Sequence, residues 1–574
     1  MSEKWFIKRV GVDYKGLAKK LDVTPLTVLL MANRGITTEE GMHKYLYAGL
    51  EDLHDPAKMK DLPKAVRILQ EKIKEKKKIR IAGDYDIDGV MSTYIFYKGL
   101  KGAGADVSWV IPERIRDGYG LNIRIINDAI ADGIDTLLTC DNGIAAREQT
   151  AHAKENGLTV IVTDHHQVPF EEKDGKKEYI LPDADAVVDP HRADDLYPFT
   201  ELCGAGVAYK LVTLLYRELG FPPQKAEAYL PYAAIATVGD IVDLTDENRI
   251  IVKEGLRRLP NIPNPGLQAL MKKCGLEGKE ITTYHIGFVI GPCLNAAGRL
   301  ATAERSVRML LADTDREAEE DASELFRLNQ ERQLKTELWT EKAKKWVEES
   351  GNKDRVIVVY LDDCHESIVG IIAGRLKEVY GKPAFAFTKT DKGMFKASGR
   401  SIEAYSMYDE LVKVKDMMAA FGGHPMAAGL TLKEGVSVDD FRKAVNENCT
   451  LTEEDMQEKI LIDAVVPVSG LTRRNVTELS LLQPCGKGNR GALFADRSVA
   501  VSSMRTIGKN HNVVKCLVKD KTGAVDGIVF HNPEEFAATA GESAVNITYI
   551  PQINEWQGRE TMQMNIKGWM ACRK

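Results

Sequence analysis

The sequence predicts an α/β multidomain protein: a parallel-sheet domain, a helical connector, a second α/β domain and a C-terminal OB-type β-barrel. Three observations carry that expectation. The chain has 574 residues, 44% apolar and 28% charged, an ordinary globular composition spread over more length than one hydrophobic core organises. From Ile79 onward short apolar runs alternate with helix-like segments, the pattern of a parallel sheet with helices on both faces. After residue 459 the pattern turns to successive short strands separated by turn residues.

Composition removes several function classes. Net charge is −6, so any nucleic-acid surface has to be a local basic groove and not a global excess. The nine cysteines are scattered and no two are spaced C-x-x-C, which speaks against a zinc site or a disulfide framework and fits a reducing compartment. Met1-Ser2-Glu3-Lys4-Trp5 lacks the apolar core of a signal peptide, and no apolar run is long enough to span a bilayer. The expectation is a soluble cytoplasmic protein with no membrane contact.

Taken in order, residues 1–60 read as a helical segment docking on the next domain, with Leu17, Leu21, Leu26, Val28 and Leu29 as core positions. Residues 61–300 hold the apolar runs Ile79–Ala82, Val107–Ile111, Thr136–Thr139, Thr159–Thr163 and Ala186–Val188. In open parallel sheets ligands gather outside the carboxyl ends of the strands. Acidic and histidine residues recur there: Asp84, Asp86 and Asp88 after the first run, Asp141-Asn142-Gly143, Asp164-His165-His166, Asp189-Pro190-His191, and later Asp240. One Asp after a strand is usually a helix cap. Three carboxylates within Asp84–Asp88 repel one another unless a cation offsets them. Mixed Asp/His ligation suits Mn²⁺, with Mg²⁺ an alternative at the more carboxylate-rich position, and this many ligands fits two ions better than one.

Residues 301–350 read as a helical connector, and residues 351–455 as a second α/β unit opening at Arg355–Tyr360. Within it, Lys396-Ala397-Ser398-Gly399-Arg400 and Phe421-Gly422-Gly423-His424 offer small residues and donors for an anion. Residues 456–574 give strands at Leu461–Val468, Val499–Ile507, Val513–Lys519, Ala524–Phe530 and Asn546–Ile553. A barrel of this kind binds single strands through a basic groove and aromatic platforms, for which Arg505, Lys509, Lys515, Phe530, His531 and Trp556 are candidates.

Asp84-Tyr85-Asp86-Ile87-Asp88-Gly89, Asp141-Asn142-Gly143, Asp164-His165-His166 and Asp240 resemble the four motifs of the DHH phosphoesterase superfamily. Pro112–Leu121, the stretch Pro292-Cys293-Leu294-Asn295-Ala296-Ala297-Gly298-Arg299, Leu328-Asn329-Gln330-Glu331-Arg332 and the Gly-Gly-His of the accompanying DHHA1 domain resemble the RecJ branch, over roughly residue 14 to the C-terminus. One departure is Cys485, where that branch has an aromatic residue. The resemblance implies a DHH domain over 61–300, a DHHA1 domain over 351–455 and an OB-fold over 456–574. It implies a 5′→3′ exonuclease on single-stranded DNA that releases nucleoside 5′-monophosphates in recombination and repair. Asp86, Asp88, Asp141, His165 and Asp240, with Asp84, would hold two ions, Asp141 as the bridge, while His166 contacts the scissile phosphate or supports a ligand. Arg114, Tyr119, Asn295, Arg299, Ser398, Arg400, Gly422, Gly423, His424, Lys509 and Trp556 would hold the strand. Implied partners are single-stranded DNA, single-strand-binding protein and a helicase, with the protein a monomer. Two alternatives stand beside this: a phosphodiesterase of short oligonucleotides or cyclic dinucleotides, which needs neither barrel nor long connector, and a non-catalytic scaffold, which would have lost metal ligands.

Overall fold

The computed structural model describes residues 4–114, 116–118, 120–173, 175–390, 393–467, 470–508, 512–556 and 558–572, without the side chain of Trp556. Among the described residues no helix is long and apolar enough to cross a membrane.

The first sheet has five parallel strands in the order Asp106–Val110, Lys78–Ala82, Thr136–Thr139, Thr159–Thr163, Ala186–Val188. Its strands are apolar on both sides because both faces are covered. One face packs Ile79, Ile81 and Leu138 against the helices Leu62–Lys74, Ile87–Gly102 and Gly204–Glu218; the other packs Leu137, Val160 and Val162 against Ile123–Ala131 and Arg147–Glu155. A common strand direction puts the segments after Ala82, Thr139, Thr163 and Val188 at one edge of the sheet, as the sequence pattern predicts.

The connector is a short helix, Glu304–Leu311, followed by one 35-residue helix, Asp315–Glu349. At about 1.5 Å per residue it is roughly 50 Å long. Ala322, Leu325 and Leu328 of its first half belong to the core of the parallel-sheet unit, and Ala343 and Val347 of its second half to the core of the next. That next unit is a five-stranded mixed sheet in the order Met418–His424, Ala427–Leu432, Phe395–Arg400, Ala384–Lys389, Ile357–Tyr360, with only the last pair parallel.

The C-terminal region closes a five-stranded barrel from Phe494–Ile507, Val513–Lys519, Ala524–Val529, Arg559–Ala571 and Val545–Trp556, the last returning to pair with the first. Sequence reading missed Arg559–Ala571, whose outward charges and methionines blur its alternation. It also placed one strand at Leu461–Val468, where the structure has two short ones. Lys459–Ile462 pairs in parallel with Lys4–Ile7, and Ala464–Val465 joins the barrel.

Residues 14–47 form three helices that dock differently from expectation. Val28, Leu30, Met31 and Met42 share one core with the barrel residues Phe494, Val518 and Ile547. Polar contacts seal it: Glu478 accepts from Thr24 and Thr27 at 2.5–2.7 Å, and buried Asn33 donates to Asp463. Contact with the parallel-sheet unit is narrower, through Lys44–Asp246 and the Arg249 guanidinium 3.9 Å from the Tyr45 ring.

Candidate active site

The loop after Lys78–Ala82 turns directly into the helix Ile87–Gly102. Asp86 caps that helix, its Oδ1 accepting the N–H groups of Asp88 and Gly89 at 3.0 and 3.1 Å. Asp88, the second residue of that helix, is fully buried, and both its oxygens are held by a second helix: Gly204 N–H donates to Oδ2 at 2.6 Å and Ala205 N–H to Oδ1 at 2.7 Å. These are the first two residues of Gly204–Glu218, where free N–H groups and the helix dipole favour an anion. Gly204 lies so close to Asp141 that a Cβ there would sit 2.7 Å from the Asp141 Cβ. Asp84 and Asp141 are also buried, and Asp240 ends the helix Leu230–Gly239.

His165 completes the cluster. Its buried Nε2 makes no hydrogen bond and lies 3.0 Å from Asp141 Oδ1, 3.5 Å from Asp88 Oδ2 and 3.7 Å from Asp240 Oδ2. Burial lowers its affinity for a proton, so a neutral ring nitrogen faces the carboxylates with its lone pair available. Burial, and then mutual repulsion, pushes the carboxyls upward: Asp84 and Asp141 well above the usual range, Asp88 in the same direction, Asp240 to about 8. Three overlapping sets put their ligand atoms within 4.8 Å of one another: Asp84, Asp86 and Asp141; Asp141, His165 and His166; Asp88, His165 and Asp240. Asp141 and His165 are each shared. Crowded oxygens short of positive charge beside an unsatisfied imidazole nitrogen are the donor set of a pair of hard divalent cations, and the residues present fit such a pair.

Asp164 organises the histidines. Its Oδ1 accepts the N–H groups of His165 and His166 and lies 2.7 Å from His166 Nδ1, while Oδ2 accepts the Ile144 N–H. Burial alone would raise the Asp164 carboxyl, but its bond and charge interaction with His166 hold it low. Burial disfavours the His166 cation, yet the same partner lifts that imidazole to about 9. The site therefore keeps one neutral and one cationic histidine at neutral pH.

Beside the metal loop is a cavity of about 330 Å³ lined by Tyr85, Arg114, Arg299, Ser398, Arg400 and the start of the helix Val369–Tyr380. The Arg114 guanidinium lies 4.7 Å from the Tyr85 ring centre. Arg400 is anchored on Ser398 Oγ at 3.0 Å and on the Gly399 carbonyl, and Arg299 on the Ser367 carbonyl at 2.7 Å. Burial, and then the neighbouring guanidiniums of Arg114, Arg332 and Arg400, bring Arg299 down to about 10. Such a concentration of desolvated cations at a helix N-terminus suits an anion, and the one carboxylate among the described lining residues, Glu366, is paired with Lys396 at 2.7 Å.

Three family models match the chain: the N-terminal domain of the DHH family over residues 78–237, the DHHA1 domain over 353–450 and the RecJ OB domain over 462–568. The single-stranded-DNA-specific exonuclease RecJ of Bacillus subtilis is 36% identical over 568 residues, covering 98% of this chain and 70% of that protein. The chain belongs to the RecJ family. The Salmonella typhimurium RecJ exonuclease is 32% identical, with 95% of this chain and 96% of that protein covered. Among solved structures, Thermus thermophilus RecJ in complex with Mn²⁺ matches with a TM-score of 0.83 and 28% identity over 100% of this chain and 80% of that one; its Mg²⁺ complex matches at 0.77 and 27%, over 100% and 79%.

Among the residues the sequence nominated, the structure gathers Asp84, Asp86, Asp88, Asp141, His165, His166 and Asp240 in one cluster, with His166 among the donor atoms. Arg114, Arg299, Ser398 and Arg400 meet in the cationic cavity. Asn295, one turn before Arg299, has a buried Oδ1 with no hydrogen bond. Gly422, Gly423 and His424 end an exposed edge strand, Pro425 and Met426 make the hairpin that follows, and Gly429, the ladder partner of Gly422, lines the cavity. Tyr119, Lys509 and the Trp556 side chain lie outside the described residues. Sequence reasoning named Asp164 within its motif but gave it no role, and it left out the backbone of Gly204 and Ala205. The signal for the latter was Cys203-Gly204-Ala205-Gly206, small residues opening an apolar helix.

Proposed function

We propose that this protein degrades single-stranded DNA from the 5′ end, one nucleotide at a time, with two Mn²⁺ or Mg²⁺ ions held by Asp84, Asp86, Asp88, Asp141, His165 and Asp240. One observation carries the reading: Tyr85, between two ligands of the metal loop, also lines the cationic cavity, so an anion site lies one residue from the hydrolytic centre. A terminal 5′-phosphate seated on Arg299, Arg400 and Ser398 places the next phosphodiester over the carboxylates. Ions bound there supply Lewis acidity, an activated water and neutralisation of the departing 3′-oxygen.

The chain's own groups do the rest. Gly204 and Ala205 keep the Asp88 carboxylate from rotating. The cationic His166 donates toward a phosphate oxygen, held in orientation by Asp164. Arg299 and Arg400 neutralise the terminal phosphate and fix its distance from the reacting bond. The exposed edge strand with Gly422, Gly423 and His424, and the barrel face with Arg505, Lys515 and Phe530, offer the departing strand further contact, Phe530 being 55% exposed. The protein acts as a cytoplasmic monomer, with single-strand-binding protein and a helicase presenting the strand.

The test uses Mn²⁺ and long single strands labelled at the 5′ or 3′ end, beside a blunt duplex and a dinucleotide. Early labelled mononucleotide from the 5′ end alone is expected. Cleavage of the dinucleotide only would overturn the reading in favour of a small-substrate phosphodiesterase.

A further inference from the structure

Cys274 and Cys293 are 19 positions apart in sequence, and their sulfurs lie 3.9 Å from each other. Neither belongs to the metal cluster or lines the cationic cavity. Cys274 is half-buried at the end of the helix Pro265–Lys273, and Cys293 is buried in the first turn of Gly291–Leu300, the helix that carries Asn295 and Arg299. A disulfide has its sulfurs ~2.05 Å apart, so an approach of about 2 Å would join them.

The two thiols are chemically unequal. The hydrogen bond with Cys293 holds the Cys274 thiol below its ordinary value despite partial burial. The same bond, and then burial, pushes the Cys293 thiol up. Asn329 and the charge of Arg332 both act on the Cys293 thiol to lower it; Asn329 Oδ1 in turn accepts Arg332 Nε and Nη2 at 3.1 and 2.9 Å. The Asn329–Arg332 stretch that the sequence singles out is thus a wall of this thiol pair. A half-buried thiol 3.9 Å from a second thiol is an arrangement that peroxides oxidise reversibly to a disulfide.

We propose that Cys274 and Cys293 form a peroxide-responsive dithiol–disulfide switch that loosens the grip of the helix Gly291–Leu300 on the terminal phosphate. The Cys274 thiolate attacks one oxygen of hydrogen peroxide, the O–O bond breaks, and the leaving hydroxide takes a proton to become water. The Cys293 sulfur then attacks the Cys274 sulfenic acid; the S–S bond forms, the S–O bond breaks, and a second water leaves. Two thiols lose two protons and two electrons while one peroxide is reduced to two waters.

The helix has no slack to absorb the movement. A Cβ on Gly298 would lie 2.5 Å from the Tyr85 carbonyl oxygen, and one on Gly291 would lie 3.2 Å from Ile87 Cδ1. Gly291–Leu300 therefore rests directly on the metal loop. Drawing its first turn toward Cys274 shifts Arg299 and presses on Tyr85.

The experiment treats the full chain with graded hydrogen peroxide, quenches it, and maps peptides by mass before and after dithiothreitol, alongside Mn²⁺-dependent hydrolysis of a 5′-phosphorylated strand. The activity arm rests on the function proposed above; the peptide arm does not, so the two fail separately. Cys485 and Cys572 are also half-buried, so the linked pair is identified by mapping and not by thiol counting. The expected result is a Cys274–Cys293 cross-link with a several-fold rise in KM, both reversed by dithiothreitol and both absent in Cys274→Ser and Cys293→Ala. Absence of the cross-link while other cysteines oxidise overturns the proposal. So does a cross-link that leaves KM unchanged, or a loss of activity that persists in Cys274→Ser.

Discussion

Replacing Gly204 by alanine tests whether a helix N-terminus holds the metal site together. The added Cβ would sit 2.7 Å from the Asp141 Cβ and 3.0 Å from its Cα. Carbon atoms rest about 3.5–4.0 Å apart, so roughly 1 Å of separation is needed. Asp141 cannot yield by changing rotamer, because the contact is with its Cα and Cβ and its backbone is already at φ 61°. The helix Gly204–Glu218 must retreat instead. A retreat of about 1 Å takes the 2.6 and 2.7 Å bonds to Asp88 beyond hydrogen-bond range. Each bond to a charged acceptor is worth ~1.5–3 kcal/mol, and overpacking ~1–3 kcal/mol. Retreat relieves the clash as it breaks the bonds, so the terms do not add, and ~3–5 kcal/mol is expected. Misplacing a reacting group by about 1 Å lowers turnover roughly 10²-fold. The assay is Mn²⁺-dependent hydrolysis with a metal titration, alongside thermal unfolding. Gly206→Ala is the control, since its Cβ meets only the Leu202 side chain at 3.2–3.3 Å, and near-normal activity is expected. Turnover within twofold of wild type at unchanged Mn²⁺ affinity in Gly204→Ala would refute the argument.

Asp164→Asn removes the partner that lifts His166 from 6.5 to about 9. Stability gained from this raised imidazole is present below pH 6.5 and disappears as pH rises through about 9, so the metal-free protein should lose thermal stability across that window and the variant should lose less of it. Asp240, raised to about 8, binds a proton in the folded protein where the unfolded chain does not; metal-free stability should fall from pH 3.8 up to about 8, and saturating Mn²⁺ should abolish the fall in thermal unfolding at several pH values. Arg400→Ala removes charge-assisted bonds worth ~1.5–3 kcal/mol, so KM for 5′-phosphorylated strands should rise ~10–100-fold with kcat little changed, and 5′-hydroxyl strands should respond less. Deleting residues 456–574 should do more than weaken strand binding. It uncovers Val28, Leu30 and Met31, and dye binding to exposed apolar surface should rise.

The parallel sheet was legible because its strands are nearly continuous apolar runs and its ligands recur at their carboxyl ends. The clustering of the acidic and histidine candidates was legible because they recur at the ends of successive strands. What holds Asp88 is backbone N–H, which every residue but proline possesses, so only the small residues of Cys203–Gly206 hinted at it. The edge strand Met418–His424 was not legible because two glycines blur its side-chain alternation and Pro425 follows directly after it. Likewise, nothing local in residues 14–47 says that their partner lies more than 400 positions away.

Such a separation bears on synthesis. Lys4 meets Glu454 across 450 positions, and the barrel strand Val545–Trp556 contributes Ile547 and Tyr549 to the core that covers Leu30. At about 5–20 residues per second, translation leaves the three early helices without their cover for on the order of half a minute or more. During that interval they are a nascent amphipathic segment in need of a temporary holder, and the barrel, which emerges long after them, has to recapture them.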